Sequence, residues 1–408
     1  MSSDKSQPKR FIGLDLHKYY LVATGVDQDL NKVYGPRRVE LIDLEEWIQK
    51  TITHEDALVV EATANAFMVY DTLVSHAHSM IVVHPAHLAS IVKVPVKTDK
   101  KAAYELARLL AKGMLDGIWI PPQDVRDLRV LVSQRRKMIN LKTRAKNWLQ
   151  DILYRYSIPL PEGPLFDTAQ RPWWDKLPLS KLEHVRITSN LAALDFAQEQ
   201  IDLIETHMAA WAAQDERVSR LFELSGIGLV TSVTLLSAIG DITRFSDAEH
   251  LVGYAGMGVR VHDSGMTTRT GRITKAGRRE MRAVLVEAAQ VAVLHDPRWK
   301  AELDRLEPRL GRNKAIVAIA RKMLVVVWFI LHEHAVDNQL NLERLARKYY
   351  EFAYSVGKSN WGESGSAVEF IRRQLDQAGV GQEFTSFVYS GKNVQLPPSK
   401  QTIAEKRK

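Results

Sequence analysis

The 408-residue sequence predicts a mixed α/β sheet domain followed by an all-helical remainder. Three observations carry that expectation. Short apolar, β-branched runs crowd residues 11–83 and alternate with helical stretches after residue 44. From Asp124 onward the apolar residues recur at helical spacing, in stretches too long for strands. Pro121–Pro122 separates the two regimes.

In chain order, FIGLDLHKYYLVATGVD (11–27) reads as two β-rich runs meeting at a short polar turn near His17–Lys18. Val33–Leu41 reads as a third strand, and Leu44–Lys50 starts a helix. Ala57–Glu61 is a fully apolar strand ending on a carboxylate, followed by a helix near Ala64–Ser75 and a buried strand at Met80–Val83. Thr98 is placed to cap a helix over Asp99–Lys112. Asp124–Tyr156 is helical in pattern, with Leu128, Leu131, Met138, Leu141, Ala145 and Trp148 on one stripe. A Pro-rich connection, Ile158–Pro172, leads to a second long helix over about Leu179–Glu223, so the pair suggests an antiparallel or coiled-coil spacer. Leu224–Gly240 places Gly-Ile-Gly between helices, which looks like a helix–hairpin–helix turn, although a plain helical hairpin uses glycines similarly. Helices follow at about Arg278–Leu294, after a basic loop, and at Lys314–Glu333, after the basic stretch Arg298–Lys314. Helical pieces at Leu342–Tyr354 and Ala367–Ala378 then precede a basic tail. The expected units are 1–122 (sheet domain), 123–220 (helical spacer), 221–335 (helical domain) and 336–408 (an appended extension with a disordered end).

Composition narrows the function. The net charge of +8 and a pI near 9.4 point towards a polyanionic partner, a property also shared by many basic enzymes. The absence of cysteine excludes disulfides, thiolate zinc sites and cysteine nucleophiles, and fits a reducing cytoplasm. The first ten residues lack an apolar signal core, and the longest apolar run, around Met323–Leu331, is too short to span a bilayer. The expectation is a soluble intracellular protein with no membrane partner.

Three acids occupy telling positions. Asp15 sits inside the first strand, Glu61 ends a buried one, and Asp99 lies in the first turn of a helix. A carboxylate within an apolar strand is costly unless it meets a cation or donors. Taken singly, Asp99 reads as a helix-start acid and Glu61 as a strand end. Together the three resemble the ribonuclease-H/RuvC-like arrangement, in which two magnesium ions about 4 Å apart clamp the oxygens of a phosphodiester. At i+3 from Asp99, where a fourth acid would share the helix face, the residue is Ala102. His84 and His87, in a Pro-flanked turn, read as structural.

The second chemical stretch is Gly253–Ala289. Ser264 lies in an Asp-Ser-Gly turn, followed closely by Arg269, Arg272, Lys275, Arg278, Arg279 and Arg282. A hydroxyl ringed by guanidinium groups suits attack on a phosphodiester, whose developing charge the cations offset. The plainer reading is a basic loop leading into a solvated helix face. On the Asp124–Tyr156 helix, Arg135, Arg136, Lys137 and Arg144 supply a cationic surface that is either solvated or follows phosphates. Gly226 and Gly228 are placed to offer backbone N–H groups to a phosphate.

These features resemble the insertion-sequence-110 family of DEDD transposases and the related Piv-type DNA invertases. The resemblance rests on Gly13-Leu14-Asp15, Val59-Val60-Glu61-Ala62-Thr63, Lys97-Thr98-Asp99, Ser225-Gly226-Ile227-Gly228, Tyr254-Ala255-Gly256-Met257, Asp263-Ser264-Gly265 and Thr274-Lys275-Ala276-Gly277, in that order over about residues 11–335. It implies a RuvC-like domain with a four-acid magnesium site and a second domain carrying a nucleophilic serine. By position, Asp15, Glu61 and Asp99 would hold two Mg2+ ions and Ser264 would attack DNA. The family's fourth acid falls on Ala102, which implies either a natural variant with a weakened metal site or an engineered knockout. A smaller departure is Val259, where the family often has proline. The resemblance further implies donor and target DNA, a bridge-type noncoding guide RNA that leaves the protein to grip duplex backbone, a homodimer or homotetramer, and a bacterial or archaeal cytoplasm. Two rival readings are a metal-dependent, junction-resolvase-like nuclease with Ser264 as a turn residue, and a catalytically inactive nucleic-acid-binding protein, which Ala102 favours.

Overall fold

The computed structural model describes residues 7–91, 98–264, 267–333 and 340–400, with the side chains of 261–270 outside that set. Lys97 and Gly265 of the quoted motifs, and the basic tail from 401, therefore lie outside the described residues. The chain divides into two units, Met1–Pro121 and Pro122–Lys408.

The first unit is a five-stranded mixed sheet. β1 (Arg10–Leu16), β2 (Tyr20–Val26) and β3 (Lys32–Glu40) pair antiparallel, β4 (Asp56–Glu61) and β5 (Ser79–Val83) add in parallel, and the order is β3-β2-β1-β4-β5. α1 (Leu44–Thr51) leads into β4, α2 (Ala66–Leu73) links β4 to β5, and α3 (Pro85–Ile91) and α4 (Asp99–Ala111) follow. β4 reads as an unbroken apolar run because both of its faces are covered. Leu58 and Val60 join Ile12 and Leu14 against Trp47, Ile48, Val69 and Leu73, whereas Val59 and Val83 lie under Leu106 and Leu109 of α4.

Glycine at position 13 is what lets α4 lie on β1. A Cβ there would stand 2.1 Å from the Ala103 carbonyl oxygen and 2.6 Å from the Ala107 nitrogen. Helix backbone thus rests directly on strand backbone, and Ala103 and Ala107, both fully buried, keep the helix side of the contact equally thin. Thr98 starts the helix, its hydroxyl accepting from Lys101 N–H.

The second unit is helical. α5 (Gln123–Arg155) and α7 (Lys181–Ala212) run antiparallel, joined by Arg135–Glu205, Lys142–Gln198 and Arg155–Glu183 pairs, and the short α6 (Arg171–Asp175) helps close their far end through Trp174. The single helix expected to reach Glu223 is broken at 213–215, where Asp215 caps α8 (Glu216–Phe222) by accepting from Arg217 N–H. α9 (Leu229–Ile239) is the hub of the main core, with every residue from Ser232 to Ile239 buried. Its last carbonyls are taken by arginines: Arg129 donates to Ser237 O and Ala238 O, Arg244 to Ile239 O, and Arg217 to Gly240 O.

α10 (Ala248–Tyr254) precedes a hairpin that the sequence pattern did not reveal, β6 (Val259–Ser264) and β7 (Thr267–Ile273). α11 (Arg279–His295), α12 (Pro297–Leu310) and α13 (Arg312–His332) then pack in sequence. α12 occupies the stretch read only as basic, with Asp296 as its cap and Pro297 in its first turn. α13 is long and apolar enough to cross a membrane by length and composition, unlike the shorter run expected there, but Ile319, Met323, Leu324 and Val327 are buried in the core. The segment read as an appended extension supplies α14 (Leu342–Val356) and α15 (Ala367–Gln377) to that same core, where Tyr349 and Phe352 meet Phe222, and Phe370 meets Phe352. A small hairpin, β8 (Ser386–Tyr389) and β9 (Lys392–Gln395), follows.

Two outcomes test these contacts. Gly13→Ala drives a methyl into the α4 backbone and should cost about 3 kcal/mol or more of stability, read as a lower midpoint in urea; an unchanged midpoint would refute the contact. Arg305 and Lys322 hold the Glu302 carboxylate down to about 2, against an ordinary value of 4.5. The folded-state value is the lower one, so its stabilisation of the α12–α13 contact is complete above 4.5 and is lost as pH falls through about 2. Glu302→Gln should therefore unfold more easily than the parent at neutral pH, and the gap should close near pH 2 when both are followed by circular dichroism.

Candidate active site

Asp15, at the end of the β1–β4 ladder, meets Asp99 of α4, and Glu61 ends the neighbouring strand. Asp15 and Glu61 each follow the last parallel pair, Leu14 and Val60. Alternation puts Asp15 on the face of Gly13 and Glu61 on the face of Val59, the side of the sheet that α4 covers. Because Thr98 starts α4, Asp99 falls in its first turn. The His17 Nε2 atom is 3.3 Å from Asp15 Oδ2 and 3.3 Å from Asp99 Oδ2, and the three ligand atoms lie within 4.8 Å of one another. Glu61, half-buried, is outside that group among the described residues.

His17 was not legible as a site residue, although its spacing of two from Asp15 was a signal: residues i and i+2 of an extended segment share a face. Tyr20 stacks on its ring with centroids 4.5 Å apart, and the Tyr20 hydroxyl donates to Asp99 Oδ2 at 3.1 Å. Burial and Asp99 together push the Tyr20 phenol above its ordinary range, which keeps it a donor. Arg38 lies 3.6 Å from the other partner of that stack, the Tyr20 ring centroid.

Two carboxylates and an imidazole nitrogen that is itself buried without a hydrogen bond among the described residues form a donor set that fits a divalent cation. A purely structural acid looks different here. Asp56, only 1% exposed, is held by Arg10 in two 2.7 Å hydrogen bonds and accepts from Thr53 N–H. His84 is likewise structural, accepting from Ala86 N–H at the start of α3.

Ala102, half-buried, stands at i+3 from Asp99 on α4 and contributes no ligand. Ala102→Asp should tighten divalent-metal binding by about tenfold or more in calorimetry with Mn2+. Equal affinity in the two chains would show that this face of α4 does not line the cation site.

Ser264 ends β6 and pairs with Thr267 of β7, and Arg269 lies opposite His262; the side chains of these residues are outside the described set. Arg272 and Lys275 are exposed. Two glycines explain how the base of the hairpin is seated. A Cβ on Gly256 would stand 2.7 Å from Ala276 O, and one on Gly277 would stand 2.3 Å from Tyr254 O, so the two motif segments touch backbone to backbone. Arg278 and Arg282 are engaged inside this joint, donating to Tyr254 Oη at 2.8 Å and to Ala255 O at 2.7 Å. Burial works to raise the Tyr254 phenol, but the neighbouring Arg278 and Arg244 hold it below its ordinary range.

The remaining expected contacts divide by environment. Gly226, at φ +82°, faces α11, where a Cβ would meet Ala288 O at 2.1 Å; Gly228 opens to free space as the N-cap of α9. On α5, Arg135 is tied to Glu205 and Arg136 is half-buried, while Lys137 and Arg144 are exposed and two turns apart.

Comparison with known proteins matches both regions. Residues 12–158 match a transposase model of the DEDD type found in IS110 elements, and residues 218–304 match the "Transposase IS116/IS110/IS902 family". The chain is similar to the "Transposase for insertion sequence element IS1111A" of Coxiella burnetii, with 24% identity over 79% of this chain and 89% of that protein. It is similar also to the "Pilin gene-inverting protein" of Moraxella bovis, with 27% identity over 80% of this chain and 97% of the relative. With the acid cluster, the sheet that holds it and both halves of the sequence in agreement, the chain belongs to the IS110 family of transposases, enzymes that recombine DNA.

Proposed function

We propose that this transposase breaks and rejoins DNA through a phosphoserine at Ser264, assisted by magnesium held by Asp15, Asp99 and Glu61 and directed by a bridge-type noncoding RNA. The observation that carries the reading is the convergence of Asp15 and Asp99, far apart in sequence, on one point beside His17. The Ser264 hydroxyl attacks a backbone phosphorus, forming the serine–phosphate bond and releasing one sugar oxygen as a hydroxyl. A second DNA hydroxyl later attacks the same phosphorus and returns the serine. A divalent ion at the carboxylates supplies positive charge against the phosphate and its leaving oxygen. Asp15 and Asp99 orient that charge, Tyr20 fixes Asp99 by its hydrogen bond, and Arg269, Arg272 and Lys275 grip the phosphate beside the serine.

The spacer formed by α5 and α7 serves in joining two or four chains into the working unit. Lys137 and Arg144, exposed on α5, fit contacts with nucleic-acid backbone, and Gly228 fits a phosphate at the start of α9. Arg135, Arg136, Arg278 and Gly226 are assigned lesser parts in such contacts, because packing already engages them. Ala102 favours a second reading, a chain that binds nucleic acid but cuts it poorly.

The test is covalent trapping. DNA carrying the element's ends, incubated with the protein and magnesium, should yield an adduct that survives denaturing electrophoresis, grow with Ala102→Asp, and vanish with Ser264→Ala. An adduct that persists in Ser264→Ala eliminates the serine mechanism. Strand cleavage without any adduct supports hydrolysis instead, and no cleavage even with Ala102→Asp supports the non-catalytic reading.

A further inference from the structure

The turn between α8 and α9 draws in a charge from a distant part of the chain. Lys348, on α14, donates from one Nζ atom to three backbone carbonyls: Phe222 O at 2.7 Å, Leu224 O at 2.6 Å and Ile227 O at 2.8 Å. Burial, and after it the neighbouring Arg344, lower the Lys348 amine to about 7; in its protonated form it has three N–H donors and no acceptor, so the three carbonyls saturate it. Their spacing, i, i+2 and i+5, means that the chain from 222 to 227 curls around a single positive point. Arg344, one turn earlier on α14, fastens the same turn by donating to Ser225 Oγ at 2.6 Å. The opposite side of the turn is fixed by Gly226, pressed against α11. What remains open is Gly228, beside a cavity of about 600 Å³, and the first turn of α9, beside one of about 310 Å³. Helix α14 lies beyond residues 12–158 and 218–304, the regions matched to known transposases.

We propose that Lys348 is a positioning residue for nucleic-acid contact: its ammonium is the internal cation that holds the 222–228 turn in the shape that presents Gly228 and the start of α9 outward. The proposal rests on reading that turn as a nucleic-acid contact. A carbonyl cage of this kind requires a compact point charge. Lysine provides one from a long stem, whereas the planar, forked guanidinium of arginine does not. The lysine touches no phosphate; it acts through the carbonyls it gathers.

The measurement is fluorescence anisotropy of a labelled DNA duplex with the full chain, in LiCl, KCl and NH4Cl at equal ionic strength. Losing hydrogen bonds to a charged group should weaken binding about tenfold in Lys348→Ala in LiCl. K+ and NH4+, which fit the vacated carbonyls, should restore it, while the parent binds alike in all three salts. Lys348→Arg should be weakened in every salt, and it decides the matter if Lys348→Ala does not fold. Parent-like binding by Lys348→Ala in LiCl, a loss identical in all three salts, or parent-like binding by Lys348→Arg overturns the proposal. Gly228→Val separates the two layers of the argument. If it weakens binding while the Lys348 variants fail as stated, the turn contacts nucleic acid without help from Lys348. If it binds like the parent, the turn is not a contact and the proposal falls with that reading.

Discussion

The acid site exists because a strand and a helix touch without side chains between them. Gly13 leaves out a Cβ that would hold α4 off β1, and Ala103 and Ala107 keep the helix side equally thin. Asp15 lies two residues beyond Gly13 on the same face, and Asp99 lies one turn before Ala103 on the same helix. The separation of their main chains is therefore fixed by backbone packing. Leu106 and Leu109, on the next turns, lock the helix down against Val59 and Val83. His17, in the short connection between β1 and β2, and Tyr20, the first residue of β2, then complete the cluster.

Positive charge in the second unit is spent first on architecture. Arg129, Arg217 and Arg244 gather the carbonyls at one end of α9, Lys348 gathers those before its other end, and Arg278 and Arg282 pin α10. α9 is buried throughout from Ser232 to Ile239, so unsatisfied carbonyls around its ends would cost most. The excess of basic residues is consequently a poor guide to where a polyanion lies. Exposure sorts them better: Lys137, Arg144, Arg272 and Lys275 face outward, and Arg135 does not.

Much of the first unit was legible in the sequence because its signals are local. Apolar β-branched runs gave the five strands, Thr98 marked the start of α4, and the carboxylates stood out against apolar neighbours. The misses share a physical cause. His17 was hidden because nothing in the chain states that Asp99 folds back to it. β6 and β7 alternate charged and β-branched residues without a hydrophobic face, so their pairing leaves little periodic signal. α12 was masked by its charge, whereas the helix at Leu342–Tyr354 was legible and only its place in the main core was not. Tyr349, Phe352 and Lys348 are central to the packing of α8 and its following turn. Gly226, Gly256 and Gly277 were legible as motif letters, but their reason, contact between main chains, needed the fold.

The β6–β7 hairpin has a further consequence. Among the described residues it is a ribbon of two strands with no third to brace it. Such ribbons are marginally stable alone in water. On the proposed serine mechanism, the nucleophilic hydroxyl would stand at the end of such a ribbon, and aligning it with a phosphorus atom would draw on free energy from whatever the enzyme has grasped. On that proposal, chains that meet DNA without the proper assembly would lack that contribution, and an unbraced ribbon would itself restrain adventitious breakage.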